Sequence, residues 1–69
     1  MVEVFKTNVA KEKQAAMLAD MLLRLFRPVR INFDLEDCDK ILRVEGKDIP
    51  AEEIMETLKR NGYQCQVME

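Results

Sequence analysis

Residues 29–45 read VRINFDLEDCDKILRVE, and this stretch decides the fold. In its first half Val29, Ile31, Phe33 and Leu35 alternate with Arg30, Asn32 and Asp34. A period of two sends the apolar set to one side of a strand and the polar set to the other. The sheet that holds this strand has one wet face, as antiparallel sheets commonly do. Glu36-Asp37-Cys38-Asp39 is a polar turn. Lys40–Glu45 is the returning strand, with Leu42 and Val44 on its buried side.

Working outward, the segment before this hairpin is helical from Lys11 to Arg27. Ala15, Leu18, Leu22 and Leu25 recur at three- and four-residue spacing and form one apolar stripe. Pro28 ends the helix, because it lacks an amide donor and restricts its predecessor. Ahead of that helix, Val2–Val9 (VEVFKTNV) is rich in β-branched and aromatic residues and reads as a strand. After the hairpin, Gly46–Ile49 forms a loop and Pro50 opens a second helix where its missing donor costs nothing. Glu52 and Glu53 suit the positive end of that helix, and Lys59 and Arg60 its negative end. Gly62 fits a left-handed helix stop. Tyr63, Cys65 and Val67 then alternate with Gln64 and Gln66 as a fourth strand.

The order β-α-β-β-α-β is the split βαβ, or ferredoxin-like, plan. It predicts an α+β sandwich with two helices on one face of a four-stranded antiparallel sheet. Crossover handedness brings both helices to that face. Ile31, Phe33, Leu18, Leu22, Ile54 and Leu58 are expected to dominate the core. The 69 residues suffice for a single domain spanning 1–69, one that buries about 60% of its unfolded surface.

Composition narrows the function. Hydrophobic residues make up 48% and charged residues 35%, a globular balance rather than a disordered one. No stretch reads as a membrane span or a secretory signal, so a cytoplasmic, membrane-free protein is expected. Two cysteines without a pairing motif suit a reducing compartment. The absence of histidine excludes His-based triads and His-ligated zinc. The net charge of −2 divides into +3 over residues 1–30 and −5 over residues 31–69. An acidic chain is a poor match for nucleic acid, whose phosphates dominate affinity. Two solvated faces of opposite sign explain the split, and a basic first helix that docks an acidic partner is the sharper reading.

The topology gathers residues 8–14, 36–39 and 61–63 at one end of the sheet. Any chemistry belongs there, with Lys11, Gln14, Cys38 and Tyr63. The stretches INFDLEDCDKILRVEG (Ile31–Gly46), IPAEEIMETLKRNGY (Ile49–Tyr63) and FKTNV (Phe5–Val9) together resemble the heavy-metal-associated domain of copper chaperones and metal-transporting ATPases. The resemblance covers nearly the whole chain and rests on fold-bearing residues. It implies a metal loop of the form M-x-C-x-x-C at the start of the first helix, where two thiolates hold a soft ion such as Cu(I). Here Val9 stands in the methionine position, Lys11 in that of the first cysteine and Gln14 in that of the second. Val9 still serves as a core plug. An ammonium and an amide do not replace two thiolates. The resemblance thus implies the fold with a degenerate metal site, and Lys11 could hold the loop closed with its own positive charge. Tyr63 resembles the family's aromatic residue beside the loop, and otherwise caps the sheet with its hydroxyl in water.

Other candidates carry two readings each. Cys38 is a residual soft-metal or redox ligand, with Cys65 or a methionine as partner, or an incidental turn residue. Cys65 is expected to be a small core residue. A Cys38–Cys65 disulfide is disfavoured in a reducing compartment. Met17 and Met21 form an adaptable patch for a partner or for self-association, or lie partly buried beside Leu25. Arg24 and Arg27 follow from the helix dipole, or rim a docking patch. Asp34, Glu36, Asp37 and Asp39 lack the EF-hand spacing and form a solvated hairpin. Acylphosphatases share the topology but need a glycine-rich loop with an arginine, and Thr7-Asn8-Val9-Ala10-Lys11 has neither.

The expectation is therefore a non-catalytic interaction domain without a cofactor. It docks a protein partner through the loop end and the first helix, by way of Lys11, Lys13, Met17, Met21 and Arg24, and is itself a monomer or weak homodimer. The alternatives are a soft-metal handler built on Cys38 and a small-ligand or anion module at Lys11.

Overall fold

A computed structural model describes residues 1–27 and 29–68. The elements follow the expected order: β1 Val2–Thr7, α1 Glu12–Leu25, β2 Arg30–Asp34, β3 Ile41–Glu45, α2 Ala51–Arg60 and β4 Cys65–Val67. All strand pairs are antiparallel and the sheet order is β2-β3-β1-β4. This is the ferredoxin-like arrangement.

Register fixes the two faces. Phe5 pairs with Leu42 and with Val67, and Ile31 pairs with Val44. Strand alternation then sends Phe5, Thr7, Leu42, Val44 and Cys65 toward the helices. The opposite face carries Lys6, Arg43, Arg30, Asn32, Asp34 and Gln66. α1 packs over β2 and α2 over β4. Phe5, Val9, Leu18, Leu22, Leu42, Val44, Ile54, Leu58 and Cys65 are fully buried and form the core.

Several expectations change in detail. β1 ends at Thr7 rather than Val9, and α1 covers Glu12–Leu25 rather than Lys11–Arg27. The stop assigned to Pro28 lies outside the described residues. Leu25 leaves the buried stripe and is 59% exposed, while Phe26 packs against the core in its place. Ile31 and Phe33 are only half-buried, because β2 is an edge strand; the centre of the core belongs to Phe5, Leu42 and Val44 of the two inner strands. β3 begins at Ile41 rather than Lys40, and β4 at Cys65 rather than Tyr63. The signals at the two ends of α2 act as read. Pro50 caps the start of α2 with φ −78°, and Gly62 takes φ +90° just after its end. Lys40 also enters the left-handed region, at φ 48°, where the hairpin turn closes.

Candidate functional site

The three segments expected at one end of the sheet do meet there, and Thr7 joins them. As the last residue of β1 its alternation turns the hydroxyl into the core, where an unsatisfied polar group is costly. The Thr7 hydroxyl donates to the Lys40 carbonyl of the hairpin turn and accepts from the Val9 amide at 3.2 Å. The Thr7 amide donates to the Asp39 carbonyl at 3.1 Å. The adjacent Asn8 side chain accepts from the Gln64 amide at 2.8 Å, which ties the α2–β4 loop to the β1–α1 loop. Neither Thr7 nor Asn8 stood out as a site residue in the sequence. The available signal was a hydroxyl at an inward-facing strand position, which has to find partners.

Val9 is fully buried beneath this loop, as a core plug would be. Lys11 occupies the N-cap position of α1 in extended conformation, and its side chain is exposed and makes no capping bond. Its carbonyl accepts from the Ala15 amide at 3.0 Å, which begins the helix. Among the described residues the loop is closed by Thr7 and Asn8, and the Lys11 ammonium makes no bond that holds it. Gln14 is half-buried, and Tyr63 is half-buried against the core with its amide bonded to the Leu58 carbonyl at 3.0 Å.

The hairpin turn holds itself. The Asp37 carboxylate accepts from the Asp39 amide at 2.9 Å, and the Lys40 ammonium donates to the Leu35 carbonyl at 3.0 Å. Asp39 lies 3.6 Å from the Lys6 ammonium. Ligand-type atoms of Asp37, Cys38 and Asp39 lie within 4.8 Å of one another, yet both carboxylates are engaged by neighbours within the chain. The two thiols differ sharply. Cys38 is exposed, whereas Cys65 is buried in the core, and both are free. Burial pushes the Cys65 thiol up to about 11, against a smaller opposing pull from Lys59. A thiol held neutral in this way is a poor soft-metal ligand at neutral pH.

From the loop end an exposed surface continues along α1. Lys13 and Arg24 are exposed, Met17 is 61% exposed, and Met21 is half-buried. Partial burial therefore describes Met21 but not Met17. Asn61, just past α2, donates to the Thr57 carbonyl at 2.8 Å and touches the Met21 sulfur at 3.5 Å. No helix among the described residues is long and apolar enough to cross a membrane.

No known family model, curated protein or solved structure matches this chain.

Proposed function

We propose that this chain is a small non-catalytic interaction domain, built on a fold of the heavy-metal-associated type with a loop that no longer handles metal. A protein partner docks on the loop end and the outer side of α1. The observation that carries this reading is the surface running from Lys11 through Lys13 and Met17 to Arg24, which is exposed throughout and starts at a tightly bonded loop. A loop fixed before binding keeps the ordering cost of association low. The positive first half of the chain steers acidic partners toward this surface. The resemblance supports the same placement, because Lys11 and Gln14 occupy the positions of the family's two thiolates. The Cys65 thiol, buried and neutral, argues against a Cys38–Cys65 metal pair.

Two measurements test it together. In competition with a Cu(I) chelator the chain is expected to take up no stoichiometric copper. Tight one-to-one binding that disappears in Cys38→Ser overturns the reading in favour of a soft-metal handler. A photo-crosslinking residue at position 11 is expected to trap a discrete protein partner, with loss of trapping when Lys13 and Arg24 are reversed to glutamate. Trapping that is indifferent to those reversals, or amide shifts on phosphate addition confined to residues 8–14, speaks instead for a small-ligand site.

A further inference from the structure

Away from the loop end, the other end of the sheet holds a cavity of about 480 Å³. That volume falls within the range of small-molecule sites, roughly 300–1,000 Å³. Two chain segments form its walls: the end of α1 with the residues just after it (25–27), and the β3–α2 loop (47–50). Phe26 and Ile49 are half-buried against the core and give the cavity an apolar lining, with Leu25 and Pro50 beside them. Backbone bonds pin both walls. The Phe26 amide donates to the Leu22 carbonyl at 2.9 Å, the Gly46 amide to the Met1 carbonyl at 3.0 Å, and the Ala51 amide to the Ile49 carbonyl at 2.9 Å. A cavity shaped before binding keeps the ordering cost of taking up a ligand low.

Three charged side chains line this cavity: Arg27 on the α1 wall, and Lys47 and Asp48 on the loop wall. Among the described residues the ion pairs are Lys6–Asp39, Asp20–Arg24 and Glu56–Arg60, so these three charges stand unpaired. Both signs of charge therefore border one apolar cavity without neutralising each other. A purely anionic ligand meets Asp48, and a purely cationic one meets Arg27 and Lys47. A zwitterion with an apolar body satisfies both signs and the lining at once. We propose that the cavity binds a free α-amino acid with a large apolar side chain. Its carboxylate lies at Arg27, its ammonium at Asp48 and its side chain against Phe26 and Ile49. Lys47 adds a second cation at the rim and draws the carboxylate in. The three charged residues are exposed, so water and salt screen them and each contributes modestly. The apolar lining supplies most of the affinity, and a ligand this small is held with a dissociation constant on the order of 10⁻³ M. The inference is independent of the docking reading, since Lys11, Lys13, Met17 and Arg24 take no part in this cavity.

Amide NMR titration of the full chain with L-phenylalanine, up to about 20 mM, tests this. Saturable shifts are expected at residues 25–27 and 46–50. Three truncated probes divide the contacts. 3-Phenylpropionate lacks the ammonium and 2-phenylethylamine lacks the carboxylate, and each is expected to bind roughly threefold more weakly. Glycine lacks the apolar side chain and is expected to bind at least about tenfold more weakly. Arg27→Gln should weaken phenylalanine roughly threefold while leaving 2-phenylethylamine unaffected, and Asp48→Asn should do the same while leaving 3-phenylpropionate unaffected. Lys11→Gln is expected to change nothing. The amide spectra themselves show that each variant is folded, and both positions are exposed. The absence of saturable shifts up to about 20 mM overturns the proposal. So do shifts confined to residues 8–14, 3-phenylpropionate or 2-phenylethylamine binding as tightly as phenylalanine, or phenylalanine binding indifferent to both variants.

Discussion

Thr7 shows how one hydroxyl organises an end of the molecule. Replacing it with valine keeps the shape but orphans the Val9 amide and the Lys40 carbonyl. The expected loss is about 2 kcal/mol in urea denaturation, with Thr7→Ser retaining most of the stability. Cys65 makes a different kind of prediction. Its thiol is raised in the folded state to about 11 from an ordinary value of 9.0, so the folded chain holds that proton more tightly than the unfolded chain. Stability from this group is complete below pH 9.0 and falls as pH rises from there to about 11. Cys65→Ala is expected to flatten that alkaline slope, measured as the denaturation midpoint against pH. A thiol reagent at neutral pH should label Cys38 promptly and Cys65 only on unfolding, giving one fast thiol per native chain. The burial of Cys65 was legible from its alternation with Tyr63 and Val67. The part played by Asn8 was not, because its partner Gln64 is 56 positions away.

Among the elements, α1 shows where periodicity reads true and where it slips. Ala15, Leu18 and Leu22 are buried as expected. The next inward step was placed at Leu25, but 3.6 residues per turn from Leu22 falls nearer to 26. Phe26 takes that position, and its amide still bonds the Leu22 carbonyl at 2.9 Å. Leu22→Ala is therefore expected to cost about 3 kcal/mol, and Leu25→Ala less than about 0.5 kcal/mol, by chemical denaturation. The strands teach a related lesson. Alternation assigned the faces of β2 correctly, but alternation does not state a strand's place in the sheet. Ile31 and Phe33 face the core, yet they stand at an edge that has a neighbouring strand on one side only. The caps were the most legible feature, since proline at a helix start and glycine at a left-handed stop act through their own covalent geometry.

At the scale of the whole molecule the fold was almost entirely readable, because hydrophobic period and turn residues agree along the chain. The candidate site was readable in location but not in wiring, because its bonds join residues far apart in sequence. Thermal denaturation tests the metal-free reading as a property of the whole fold. A ligand at a hundredfold excess over its dissociation constant adds about 2.7 kcal/mol. In a domain of this size that amounts to roughly 10 °C or more in the midpoint. Neither a soft-metal chelator nor added Cu(I) is expected to move the midpoint of this protein. The sheet's outer strands have a consequence of their own. β4 offers three residues, and the Gln64 amide beside it is already held by Asn8. β2 offers five, and its open face presents Arg30, Asn32 and Asp34 in turn. An incoming peptide strand finds little backbone to zip onto at one margin and alternating charge at the other. Recruitment by strand addition is thereby discouraged, as is ribbon-like aggregation at high concentration, and the helical layer is left as the place where another chain can settle.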